Sequence, residues 1–238
     1  MKDLDDHKKI AVLIDADNAQ HTKIKAILNE ISAHGHLLIK RAYGDWSSDN
    51  LKNWKKSLNE LAIQPIQQFA YTTGKNSTDA SMIIDAMDLL YSNKFDAFAL
   101  VSSDSDFTKL ASRLRESEIF VFGVGQKKTP ISFRNACDNF LYTENLNVEI
   151  TKPKKTITAN KALELIPSLS KAWEKYQDDE GWAMVSNAGS FVKRANPDFD
   201  PRTYGAAKFS DIISSLADNF EIKKAKGRGN TVIYRVKE

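Results

Sequence analysis

IAVLID, residues 10–15, is followed directly by ADN, residues 16–18, and this stretch decides the fold. An unbroken apolar run has neither the alternation of a half-exposed strand nor the 3.6-residue period of a surface helix. It reads as a strand covered on both faces, as in a parallel sheet. Asp15 closes that strand. Open α/β sheets present ligands and catalysts at the C-terminal ends of their strands, so Asp15 stands where chemistry is expected.

Working outward, the alternation repeats. Residues 22–33 carry helical spacing in Ile24, Ile27, Leu28 and Ile31. Residues 37–42 read as a strand, 50–61 as a helix and 64–70 as a weaker strand. Residues 77–91 form a long helix with Met82, Ile83, Ala86, Met87 and Leu90 on its apolar side. Residues 95–101 are a second uninterrupted apolar strand. A helix at 107–115 and strands at 119–124 and 140–142 complete the series. The class expected is α/β, a doubly wound parallel sheet with helices on both faces.

Past residue 147 the pattern stops. NVEITKPKKTIT (147–158) sets Pro153 among Lys152, Lys154 and Lys155 and reads as a linker. We therefore expect a first domain at 1–147, a linker at 148–157 and a smaller domain at 158–238. Helices are expected at 159–174 (with Pro167 a break point), 185–194 and 208–217. Short strands at 220–223 and 232–236 flank KKAKGRGNT, a Gly- and Lys-rich hairpin tip. Three helices and a hairpin describe a winged helix-turn-helix.

The 238 residues are 42% hydrophobic and 27% charged, which is ordinary for a globular protein. No apolar run approaches the roughly 20 residues that span a bilayer, and MKDLDDHKKI lacks the apolar stretch of a secretory signal. The single cysteine, Cys137, permits no internal disulfide and fits a reducing, cytoplasmic setting. It reads as a small buried residue more readily than as a nucleophile. The net charge of +3 is uneven: residues 151–238 carry 16 Lys+Arg against 11 Asp+Glu, and residues 1–150 carry 18 against 20. An acidic front and a basic back suit metal chemistry in the first domain and polyanion binding in the second.

Four acidic signatures fall where strands should end: IDADN (14–18), YGDW (43–46), KNSTDA (75–80) and SSDSDF (102–107). Acids gathered in one crevice repel one another unless a cation joins them. Asp15, Asp79, Asp104 and Asp106 are the candidate ligands. Asn18 would orient Asp15 or offer its amide to a phosphate. Asp17, Asp45 and Asp85 are candidates for a supporting role. Such an all-oxygen set suits Mg²⁺ or Mn²⁺ rather than zinc, and His7, His21, His34 and His36 show no competing ligand spacing. There is no GxxxxGK[ST] to cradle a nucleoside triphosphate, and GVG (123–125) is only a fragment of a dinucleotide fingerprint.

Taken together, IDADN, YGDW, the K-x-x-x-D-A of 75–80 and VSSDSDF resemble the NYN domain, and most closely its LabA-like members, within the PIN-like nuclease superfamily. The resemblance covers residues 8–145. It implies a PIN-like α/β/α fold and a metal-dependent ribonuclease, with Asp15, Asp79, Asp104 and Asp106 on the metal and Asn18 beside them. Gly181-Trp182, Gly189, FDPRTYG (199–205) and Lys208-Phe209 resemble the OST-HTH or LOTUS domain. That implies RNA binding, or in some relatives protein binding. Lys193, Arg194, Arg202, Tyr204 and Lys208 are the candidate RNA contacts, with Lys223, Lys224, Lys226 and Arg228 on the wing. Trp182, Phe191 and Phe209 read as core. The expected partner is RNA, with no membrane, and the chain could pair as a homodimer. The expected activity is that of an endoribonuclease. One alternative is a non-catalytic RNA- or protein-binding adaptor. A second is a haloacid-dehalogenase-type phosphatase with Asp15-x-Asp17 as its nucleophile motif, although Ala19 stands where that motif has Thr or Val.

Overall fold

A computed structural model describes residues 8–69, 77–146, 159–225 and 231–237. The chain divides into two compact units, Met1–Asn147 and Val148–Glu238. The linker expected at 148–157, the Lys75 of the third acidic signature, and Lys226 and Arg228 of the wing lie outside the described residues.

In the first unit six strands form one parallel sheet: β1 (Lys9–Asp15), β2 (His36–Gly44), β3 (Gln64–Gln67), β4 (Ala97–Val101), β5 (Phe120–Gly125) and β6 (Asn139–Tyr142). Their order is β3-β2-β1-β4-β5-β6. The chain winds outward from β1 in one direction and then from β4 in the other. The crevice beyond the ends of β1 and β4 is therefore a topological switch point, where such sheets bind ligands.

Helices α1 (Ile24–Ser32) and α2 (Trp54–Glu60) cover one face. Their Ile24, Ile27, Ile31 and Trp54 share a core with Ile10, Val12 and Ile14 of β1. Helices α3 (Ser77–Tyr91), α4 (Thr108–Glu116) and α5 (Ile131–Ala136) cover the other. Met82, Leu110, Leu114 and Phe133 pack there on Ala11 and Leu13. Helix α5 was not expected. It has six residues, of which Phe133 and Ala136 are buried, too few to show a period.

The twofold alternation of a strand then fixes the polar ends. Asp15 continues the set Ala11, Leu13 and so points toward the α3 and α4 side. Phe98 and Leu100 of β4 face the same core, and Ser102 continues their set. Two adjacent strands thus aim polar side chains into one place.

The glycines of GVG serve packing. A Cβ on Gly123 would lie 2.5 Å from the Phe140 ring and 2.6 Å from Cys137 Sγ. One on Gly125 would lie 2.6 Å from Thr129 Oγ1 and 2.7 Å from the Ser102 carbonyl. Cys137 is buried, and burial pushes its thiol pKa up, away from nucleophilic use.

The second unit contains α6 (Ala159–Leu163), α7 (Ile166–Tyr176), β7 (Ala183–Met184), α8 (Val185–Ala195), α9 (Phe209–Ser215), β8 (Phe220–Lys224) and β9 (Val232–Val236). The helix expected at 159–174 is in fact two. Pro167 lies in the first turn of α7, where a missing N–H is no loss. The short β7, too brief to read from sequence, pairs antiparallel with β9, and β8 pairs on its other side. This is a winged helix-turn-helix. Trp182 is buried, and Phe191 and Phe209 pack against the same core. The Lys223 ammonium lies 3.6 Å from the centre of the Trp182 ring and the Arg235 guanidinium 4.7 Å from it. The buried Tyr234 hydroxyl donates to the Leu169 carbonyl at 2.9 Å, pinning the wing to α7.

Gly123→Ala should test the packing of β5 on β6. Pushing Phe140 and Cys137 aside should cost about 1–3 kcal/mol, visible as a lower urea midpoint with an unchanged far-UV spectrum.

Candidate metal centre

Asp15 is fully buried at the end of β1. Its carboxylate accepts from Ser102 Oγ at 2.7 Å, from Asn18 Nδ2 at 2.8 Å and from the Asn18 backbone N–H at 3.2 Å. Burial holds its pKa above the ordinary value, while the bonds from Ser102 and Asn18 favour the charged form. Both oxygens are engaged and the group is shielded, which argues against a phosphoaspartate nucleophile.

Ser102 also ties the next loop into place. Its Oγ accepts from the Asp104 N–H at 3.1 Å. Asp104 in turn caps the 3-10 turn Ser105–Phe107, its Oδ1 accepting from the Asp106 N–H at 2.9 Å. The chain from Asp15 through Ser102 to Asp104 and Asp106 is therefore a continuous set of local bonds.

Asp79 enters from the first turn of α3, a position the helix dipole favours for an acid. One carboxylate oxygen from each of Asp79, Asp104 and Asp106 lies within 4.8 Å of the others. Burial, followed by the charges of Asp15, Asp104, Asp106 and Asp17, raises the Asp79 pKa to about 6. Three converging carboxylates, with the proton of Asp79 held above its ordinary range, fit the donor set of a hard divalent cation. Asp15 stands beside this triple rather than in it, coupled to Asp79 through its charge.

The supporting candidates divide. Asp17, on the loop after β1, accepts from the Thr78 side chain and so joins that loop to the start of α3. Asp45 organises its own turn, accepting from the Ser47 N–H at 3.1 Å and from Gln67 Nε2 at 2.9 Å. Asp85 accepts from Arg41 Nη1 at 2.5 Å and from the Tyr43 hydroxyl, away from the triple. Arg41 and Tyr43 alternate onto the α3 side of β2, which is why they meet α3 there.

In the second unit, Arg202 is engaged by the buried Asp200, with Nε at 2.9 Å and Nη2 at 2.8 Å from Oδ2. Arg194 donates to the Tyr176 hydroxyl at 2.6 Å. Tyr204 packs against Phe199 with ring centres 5.5 Å apart, and burial raises its pKa. Lys208 and Lys224 are exposed, and Lys193 is partly so. The link from Thr78 to Asp17 and the two cations on Trp182 escaped the sequence reading, because neither contact has a local spacing to betray it.

The NYN domain model matches residues 9–147, and the chain belongs to that family, within the PIN-like nuclease superfamily. The OST-HTH/LOTUS domain model matches residues 157–232. The two domains mark an RNA-binding, nuclease-like protein. No curated protein matches the chain. Among solved structures, it is similar to a protein of unknown function from Vibrio parahaemolyticus: 19% identity, TM-score 0.49, covering 58% of this chain and 94% of that one. It is also similar to an uncharacterized protein from Nitrosomonas europaea: 26% identity, TM-score 0.25, covering 39% of this chain and 84% of that one. Neither likeness bears on the site. Among the described residues no helix is long and apolar enough to cross a membrane.

The raised pKa of Asp79 has a stability consequence. The folded protein holds that proton more tightly than an unfolded aspartate does. The resulting contribution favours folding below about pH 4 and is lost as pH climbs through about 6. In EDTA, stability should fall over that window. Asp79→Asn should remove this fall and stabilise the fold at pH 7 by on the order of 1 kcal/mol after solvent screening, seen as a higher melting temperature. Mn²⁺ should raise the melting temperature of the wild type more than that of the variant, as scanning fluorimetry would show.

Proposed function

We propose that the chain is a Mg²⁺- or Mn²⁺-dependent endoribonuclease whose first domain, at 1–147, hydrolyses RNA phosphodiester bonds. A linker at 148–157 would join it to an RNA-tethering domain at 158–238. The observation that carries this reading is the convergence of Asp79, Asp104 and Asp106 at the switch point of an NYN domain.

Asp79, Asp104 and Asp106 would hold the ion, with Asp15 coupled behind them. An ion held there supplies charge neutralisation at a phosphodiester and makes water more acidic. Asp15, fixed by Ser102 and Asn18, keeps a buried negative charge beside Asp79. Asn18 holds the orientation of Asp15 through its side-chain amide and its backbone N–H together. Asp104, serving as the cap of its turn, keeps the loop after β4 in one conformation, so that Asp106 arrives at a fixed place. In the absence of a cation the clustered acids would repel an RNA backbone, so binding and hydrolysis should share one dependence on metal.

The basic residues of the second domain would retain RNA through its phosphates. The exposed Lys208 and Lys224, with Lys193, are the better placed of the candidates. Arg202 and Tyr204 already serve the domain's own packing.

Asp104→Asn should lower cleavage of a mixed RNA pool at least about 100-fold with an unchanged circular dichroism spectrum, and EDTA should abolish cleavage by the wild type. Asp85→Ala should lose stability through its broken contacts with Arg41 and Tyr43 yet still cut in Mn²⁺. Undiminished cleavage by Asp104→Asn, or in excess chelator, would overturn the proposal. RNA retention without cleavage in both Mg²⁺ and Mn²⁺ would instead identify an adaptor.

A further inference from the structure

Beside the acidic triple lies an open groove of about 580 Å³ between α3 and α4, with Ser132 of α5 at its far side. Asp79 and Asp106 belong both to the triple and to the groove wall. Whatever fills the groove therefore abuts the candidate ion. Ala80 and Ile83 of α3 give it an apolar side, and Lys109 of α4 is the one cation among the described residues that line it. Lys109 is exposed and follows Asp106 by three residues, so cation and carboxylate share a side of the chain.

We infer that this groove seats the unpaired nucleotide adjoining the scissile phosphate, with Lys109 on its phosphate and Ala80 and Ile83 against its sugar or base. The inference rests on the metal-nuclease reading and names the substrate subsite of that centre. Its volume falls in the range of sites that take one small ligand, roughly 300–1,000 Å³. Its make-up, one cation beside an apolar wall, is that of a single-strand subsite, where charge follows the backbone and apolar surface takes an unstacked ring. A paired strand would keep its ring stacked and out of reach. The groove on the opposite side of α3, about 440 Å³, is a useful contrast. It has Asp85 and Asp88 among its lining, no cation among the described lining residues, and neither Asp104 nor Asp106. Each groove carries two acids, and Lys109 alone among their described lining residues is a cation, so charge favours the first groove over the second.

The test uses the full chain. An oligonucleotide carrying 4-thiouridine is photocrosslinked to Asp104→Asn in Ca²⁺, and the modified peptides are mapped by mass spectrometry. Crosslinks should fall within residues 80–83 or 131–134. In parallel, Lys109→Ala should raise KM about tenfold, as expected for one lost charge-assisted contact, with a smaller change in kcat and an unaltered Mn²⁺-induced shift in melting temperature. Ser132→Trp, which narrows the groove from an exposed position, should move KM in the same direction and weaken the crosslink. Crosslinks confined to residues 159–237, or wild-type KM values in both variants, would overturn the subsite even if the protein cuts RNA. Crosslinks in the groove without cleavage in any metal would keep the groove as a seat for an unpaired nucleotide and remove the nuclease reading.

Discussion

The hydrogen bond from Ser102 Oγ to Asp15 Oδ2 joins the ends of the two central strands, and the arrangement of the centre follows from it. A buried carboxylate is costly unless its oxygens are satisfied. Ser102 and Asn18 satisfy Asp15, and in doing so fix the loops after β4 and β1. Asp104 is then held through its backbone N–H by Ser102, and its carboxylate in turn caps the turn that carries Asp106. The negative charge of Asp15 is carried inside the fold, where it bears on Asp79 from behind. The acids are thus gathered by hydrogen bonds between strand ends and loops despite their mutual repulsion.

Helix α3 shows how one element divides its acids between two tasks. Asp79 and Asp85 are six residues apart, which on an ideal helix separates them by about 120°. The first falls on the triple, and the second on Arg41 and Tyr43 of β2. The second pairing anchors the helix against the sheet at mid-length. It also keeps a carboxylate that looks similar in sequence away from the acidic triple. The divergence is set by helical pitch alone, and moving Asp85 by one position would lose both partners.

Much of this was legible beforehand because the signals were physical and local. Short continuous apolar runs at β1 and β4 read as strands buried on both faces, and the acids that follow them marked the crevice. Pro167 marked a break point within 159–174, close to where α7 begins. What was hidden depended on contacts between distant residues. Asp45, after a strand end, read as a supporting acid, yet Gln67, twenty-two positions away, claims it for a turn. Arg202 looked like a phosphate ligand, yet Asp200 is buried and holds it within the domain. Helix α5 left no trace because its two buried residues are fewer than any period needs.

The placement of charge along the chain bears on how the two units work together. At physiological salt, fields between exposed charges fade over about 8 Å. An acidic mouth therefore repels a polyanion strongly at contact and only weakly from afar. A basic module on the same chain raises the local concentration of RNA without having to oppose that repulsion at the mouth itself. The last few ångströms must be covered by groups at the mouth, and among the residues lining the groove beside the triple that falls to Lys109. Its position three residues beyond Asp106 places a cation and an acid of the triple on one short segment, so that the loop after β4 and the start of α4 set the charge at the crevice together.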